Sequence, residues 1–238
     1  MKPSNDTIDD TSLILPENVQ RGNIWRLSIA QALAGANSVV VYATGAIVGE
    51  NLAPTPVLAT LPISIFVVGM AACILPVGKI AQRYGRRAAF LVGTSAGVLT
   101  GLLAMLAVIQ GWFWLFCLAT FFGGGYAAVV LSFRFAAADG VEKGRRARAL
   151  SLVMAGGVVA GVIGPQLVTW TMDLWDPYKF AATFLVQAVV AALSAVLLLG
   201  VRLPAPTVTE RAGGRPLSVI ASQPRFIAAA VSGAVAYM

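Results

Sequence analysis

Six long apolar runs divide the chain, each bounded by a short polar or glycine-containing break. They cover residues 24–48, 57–77, 88–109, 112–138, 149–172 and 180–201. Runs of ~20 apolar residues are long enough to carry a helix through the hydrocarbon of a bilayer. The pattern therefore predicts six membrane-crossing helices. Residues 1–23 are polar, hold Asp6, Asp9, Asp10 and Glu17, and lack the apolar core of a signal peptide, so they read as a mobile tail. Asn23 is the predicted N-cap of the first helix. Residues 203–224 form a polar, proline-containing linker. A last apolar run, residues 225–238, falls short of the ~17-residue minimum for a span. It reads either as an amphipathic end segment or as the beginning of a seventh helix.

Polar residues inside these runs are few and not randomly placed. In the first run Gln31, Gly35, Ser38 and Tyr42 recur on one helical face, with Asn37 and Thr44 beside it. Such a stripe should look into protein or a cavity rather than lipid. Tyr126 in the fourth run and Gln187 near the middle of the sixth extend the set of candidates. Each of these residues serves equally well as an interhelical hydrogen bond. Pro62 and Pro76 in the second run predict kinks that neighbouring helices accommodate. Arg134 is the only charge within the six runs beyond their ends. It either snorkels to the interface or forms an ion pair with Asp139.

Composition and charge sharpen the picture. The chain is 58% hydrophobic and 11% charged, whereas soluble domains carry about 25% charged residues. There is no histidine, so histidine catalysis and histidine metal sites are excluded. Cys73 and Cys117 lie singly in apolar runs and read as packing residues rather than a metal pair. All but two of the 17 Lys and Arg residues fall on the segments that share a side with residues 1–23. The exceptions are Arg134, within a span, and Lys179, in the turn before the sixth run. By the positive-inside rule the N-terminus is cytoplasmic. The net charge of +7 is thus a topology signal and not a nucleic-acid signal.

The most informative stretch is the basic decapeptide at residues 78–87, between the second and third runs. It holds Lys79, Arg83, Arg86 and Arg87 and no acid. Gly78 and Gly85 predict a tight reversal there. The order Gly78, three residues, Gln82, Arg83, one residue, Gly85, Arg86, Arg87 resembles the signature between helices 2 and 3 of the major facilitator superfamily. The family's Asp is replaced by Gln82, whose amide can still accept a hydrogen bond. Two weaker echoes accompany it. Residues 120–128 are similar to the glycine-rich part of the family's fourth-helix motif, without the Arg that opens it. Gly157, Gly161, Gly164 and Pro165 resemble part of a fifth-helix glycine-proline motif of drug/proton antiporters.

The resemblance implies an all-α integral membrane protein: a six-helix bundle of two inverted three-helix repeats, residues 24–202. It implies that the chain stops before a second six-helix half, which residues 225–238 begin. It further implies transport of a small organic solute by alternating access, with Gly78, Gln82, Arg83, Gly85, Arg86 and Arg87 at a cytoplasmic gate. Gln31, Asn37, Tyr42, Tyr126 and Gln187 are then the candidates to line the solute path. Gly157, Gly161, Gly164 and Pro165 supply close packing and a bend. No acid lies at depth, so proton coupling would need residues of the other half. The partners expected are the solute, the bilayer of a bacterial inner membrane and the second half, with no cofactor, no metal and no nucleic acid. The competing reading is a half-carrier that acts only by associating with another membrane domain. An enzyme is not expected, because no catalytic set can be assembled from these residues.

Overall fold

The structure, a computed structural model, describes residues 15–139, 141–203, 219 and 222–237. They fall in two units, residues 1–205 and 206–238. In the first, seven α-helices make six long apolar segments able to cross a membrane. The helices are α1 (Glu17–Leu52), α2 (Leu61–Tyr84), α3 (Arg86–Gln110), α4 (Phe113–Val130), α5 (Phe133–Ala138), α6 (Arg146–Thr171) and α7 (Ala181–Leu199). The second unit contains α8 (Pro224–Tyr237). The rest of the linker, most of residues 203–224, lies outside the described residues.

Several boundaries differ from the expected ones, each for a local reason. Helix α1 starts at Glu17, so the expected tail is helical over its last residues. Pro16 precedes it with a fixed φ of −53°, and Glu17 places an acid on the positive end of the helix dipole. Asn23 is consequently no cap. It is buried within α1 and exchanges two hydrogen bonds with the backbone of Arg202: its Nδ2 donates to the carbonyl at 2.6 Å, and its Oδ1 accepts from the amide at 3.0 Å. The start of the bundle is thereby fastened to its exit. Pro62 lies in the first turn of α2, where a proline needs no partner for its nitrogen, so only Pro76 interrupts the helix interior.

The basic decapeptide is not a loop. Helix α2 runs through it to Tyr84, and α3 begins at Arg86. Gly85 alone turns the chain, with φ 90° and ψ 159°, a conformation that side-chain-bearing residues rarely hold. Gly78 is an exposed helical residue with open space around it, so it plays no part in the reversal. The fourth span is also broken. At Leu131–Ser132 the ladder tightens, Ser132 N donating to Val129 O at 2.9 Å, and Ser132 Oγ caps the same carbonyl at 2.6 Å. A new helical turn, α5, starts beyond it.

The pairing of helices has a two-fold logic. Helix α1 packs chiefly on α6, and α2 chiefly on α4; α3 packs on both α4 and α7, and α1 on α7. Exchanging the first three spans with the last three converts the α1–α6 crossing into the α4–α2 crossing and returns the α3–α7 pair to itself. This is the arrangement of two inverted three-helix repeats.

Small residues make these crossings close. In lipid there is little hydrophobic drive between helices, so contact comes from backbones that approach through small side chains. A Cβ on Gly124 would lie 2.0 Å from the Phe66 carbonyl oxygen, and one on Gly69 would lie 2.3 Å from that of Phe121. The related crossing repeats the device: a Cβ on Gly156 would meet the Ser28 carbonyl at 2.3 Å, and one on Gly35 would meet Ala160 Cβ at 2.7 Å. Helix α6 buries a single stripe, including Val153, Gly156, Ala160, Gly164 and Leu167, at the three- and four-residue spacing of one face. Between the crossings, aromatic rings fill space: Phe90 against Phe133 with centroids 4.8 Å apart, and Phe116 against Phe184 at 5.6 Å.

Replacing Gly124 with Ala should lower the stability of the detergent-solubilised protein by about 2 kcal/mol, since the clash is with backbone and cannot relax by rotation. Gly78→Ala, which meets nothing, should leave stability unchanged or raise it by up to ~1 kcal/mol through helix propensity. Thermal unfolding followed by fluorescence-detected size exclusion separates the two; equal loss in both variants would refute the crossing geometry.

Candidate solute path and basic end

Two regions contain the chemistry singled out in the sequence. The first is the end of the bundle where α2, α3, α5 and α6 carry their cations. Arg86, the first residue of α3, places Nε 2.6 Å from Asp139 Oδ2, at the C-cap of α5. The sequence offered Asp139 as one possible partner of Arg134; the structure gives it an ion pair with Arg86. The break at Ser132 restarts the helix and sets Arg134 and Asp139 five residues apart on a single short turn and its cap. Gly85 turns the chain so that the first residue of α3 faces that cap. Arg83 stands over the Tyr84 ring, 5.5 Å from its centroid; Gln82 is half-buried, and Arg87 is exposed. A second surface pair, Arg145 to Glu17 at 3.0 Å, joins the loop before α6 to the start of α1.

The second region is the interior face of α1. Here the five lining candidates separate. Asn37 and Gln187 are buried against each other: the Gln187 amide donates to Asn37 Oδ1, and Asn37 Nδ2 donates to the Gln187 carbonyl at 3.4 Å. They bridge α1 and α7. Tyr126 is 1% exposed; its ring occupies the space left by Gly97, and its hydroxyl lies near Ser194. Tyr42 is 49% exposed, its ring edge-on to Phe66 at 5.1 Å. Gln31 opens onto a cavity of about 180 Å³ between α1, α4, α5 and α6, together with Arg134 and Gly157.

Arg134 is therefore placed differently from a surface arginine. Its guanidinium carbon is 4.9 Å from the Phe135 ring centroid, and its Nε is buried without a hydrogen-bond partner. The fifth-helix glycines also separate. Gly164 packs on Val39, which a Cβ would approach to 2.7 Å, whereas one on Gly161 would meet nothing within 4 Å. A Cβ on Gly157 would sit 3.8 Å from Gln31 Nε2, at the wall of the cavity. Gly156, one residue before the expected motif, makes the tighter contact. Pro165 lies inside α6 on its exposed side. The Asn23–Arg202 clasp and the Arg86–Asp139 pair were not anticipated. The second was discoverable from topology: residues 78–87 and 139 both lie at breaks on the same side of the membrane, and Asp139 is the first acid there after the basic stretch.

Comparison with known proteins gives this arrangement a family. A model of the Major Facilitator Superfamily matches residues 27–238. The chain belongs to this superfamily. It is 40% identical over 220 residues to the riboflavin transporter RfnT of Brucella anthropi, an alignment covering 91% of this chain and 55% of that protein. It is 31% identical over 204 residues to the uncharacterized MFS-type transporter YdeG of Bacillus subtilis (strain 168), covering 82% of this chain and 46% of that one. A second protein of the same bacterium, the uncharacterized MFS-type transporter YddS, is 27% identical over 177 residues, 73% of this chain and 40% of its own length. The chain thus spans about half the length of the curated relatives it matches. As a superfamily member with six apolar helices long enough to cross a bilayer, it is an integral membrane protein.

A double-mutant cycle tests the pairing at the basic end. The side chains of Arg86 and Asp139 are 40% and 33% exposed, so water screens them and the coupling should be about 0.5–1 kcal/mol. Arg134→Gln combined with Asp139→Asn should be additive to within ~0.5 kcal/mol. Chemical denaturation in detergent reads both; strong coupling in the Arg134 cycle alone would give Asp139 to Arg134, the other pairing that the sequence offered.

Proposed function

We propose that this chain is the six-helix, solute-contacting half of a carrier that moves a small vitamin-like solute, riboflavin or a close relative, by alternating access. The observation that carries the reading is the 40% identity, over 91% of the chain, to a protein named as a riboflavin transporter. The interior chemistry is compatible with such a solute. A neutral, aromatic, hydrogen-bonding molecule suits a face that offers amides, a tyrosine and apolar walls and that contains no acid at depth.

In this reading the chain enters the bacterial inner membrane with its N-terminus cytoplasmic, as its cations require. The basic end is then the inner gate. Gly85 lets α2 and α3 meet without a loop, so that the two helices tilt as one piece. Arg86 and Asp139 tie the first repeat to the second at the membrane surface, and Arg83 and Arg87 are left to meet acids or helix C-termini of the other half. Such contacts can be made in one state of the carrier and broken in the other, which is what a gate demands. Helices α2 and α6 support the need for another half. They exchange under the internal two-fold, and each buries only a small part of its apolar window, 17% and 22%, within the bundle. Lipid can cover such faces, and so can a second bundle.

The alternative is a half-carrier with no transport of its own, active only in association with another membrane domain. Uptake of labelled riboflavin by a bacterial strain that cannot make it distinguishes the readings. Co-expression of this chain with a second six-helix half should restore uptake, and the chain alone should not. Arg83→Ala and Arg86→Ala in that system should slow uptake several-fold with normal membrane levels. Uptake by the chain alone would refute dependence on another half, and unaltered rates in both variants would remove the gate. Absence of riboflavin uptake alongside transport of a different solute would overturn the flavin assignment.

A further inference from the structure

The cavity beside Gln31 holds an electrostatic imbalance. Its lining contributes one guanidinium, from Arg134, one amide, from Gln31, and no acid. The remaining walls are apolar, with Val130, Val153 and Met154 among them, and the backbone of Gly157. Arg134 Nε is buried and donates to nothing. Its guanidinium stands over the ring of Phe135. A guanidinium carries five N–H donors in a rigid fork, and leaving a buried donor without an acceptor is costly. The site is complete only when an acceptor enters it.

We propose that this cavity is a subsite for the imide edge of a planar ring, the C=O, N–H, C=O sequence that a flavin presents; the proposal rests on the flavin reading above. A side-chain amide offers a donor and an acceptor side by side, and a ring imide offers the complementary pair. The arginine fork donates to the adjoining carbonyl oxygen and ring nitrogen. The apolar walls cover the ring faces. A simple anion would engage Arg134 and leave Gln31 and those walls without a role. The volume of about 180 Å³ takes one ring of a fused system, so the remainder of the solute extends outside the pocket. Gly157 fixes the width. Its hydrogen faces the Gln31 amide, where a Cβ would make ordinary contact at 3.8 Å and a longer side chain would occupy the ring's place.

Equilibrium binding, read by quenching of riboflavin fluorescence, tests this with the chain and a second six-helix half reconstituted together in lipid nanodiscs. Gln31→Leu and Arg134→Gln should each raise the riboflavin Kd about tenfold, the loss of one or two hydrogen bonds. Riboflavin methylated at the imide nitrogen should bind the unmodified protein about tenfold more weakly, and should bind Gln31→Leu no worse than riboflavin itself does. Gly157→Leu should abolish binding of both. Should Arg134→Gln fail to insert, the methylated ligand and Gly157→Leu decide the matter. An unchanged riboflavin Kd in all three variants overturns the subsite while leaving the flavin reading intact. Weakening by Arg134→Gln confined to flavin mononucleotide overturns it too, assigning the arginine to phosphate. An unmodified protein that binds no flavin at all overturns the functional reading along with the subsite.

Discussion

Close approach of helix backbones is the constraint on which this bundle depends. Every span must satisfy its own backbone hydrogen bonds, because lipid offers none. Once it does, lipid tails are as comfortable for a leucine as another helix is, and burial of large side chains no longer selects one neighbour over another. Selection passes to shape. The α2–α4 crossing is fixed where Gly69 and Gly124 each admit a carbonyl of the opposite helix, and the α1–α6 crossing where Gly156 admits Ser28 and Gly35 admits Ala160. That the two crossings exchange under the internal two-fold explains why the same device appears twice.

The polar groups inside follow from the same constraint. Threonine hydroxyls return to their own helix, as Thr44 does to Val40 O at 2.8 Å and Thr100 to Ala96 O at 2.8 Å. Amides instead bridge helices, as Asn37 and Gln187 join α1 to α7. Thr171 and Thr183, hydroxyl to hydroxyl at 2.9 Å, join α6 to α7 across the turn that connects them. These bonds have nowhere better to go in hydrocarbon, so they set register, although each contributes only about 1 kcal/mol.

This explains how far the sequence could be read. The existence and order of the six spans were legible because hydropathy alone decides what lipid accepts. Their ends were not. The stretch 78–87 looked like a loop because its cations cannot enter hydrocarbon, yet a helix may continue beyond the membrane surface, and only Gly85 had to leave it. Asn23 fitted a cap by type and position, and became a tertiary clasp because α7 delivers Arg202 beside it. In the candidate site, Gln31 and Gln187 were indistinguishable as single polar residues in apolar runs. Only the pairing of helices shows that Gln187 faces Asn37 whereas Gln31 faces a cavity. Asp139 was one of two readings for Arg134 in the sequence, and its pairing with Arg86 across the turn at Gly85 needed the fold to show it.

The two arginines that competed for that carboxylate show how the site is divided. Arg86 lies at the membrane surface, partly wet, where an ion pair forms and breaks at little cost, which suits a contact that alternates between states. Arg134, within the fourth span, has a buried Nε without a hydrogen-bond partner among the described residues. The restart of the helix at Phe133 keeps the acid at the cap and the arginine in the wall of the cavity. The break in the fourth span is thus the local feature that leaves Asp139 at the helix cap beside Arg86 and Arg134 at the wall of the cavity.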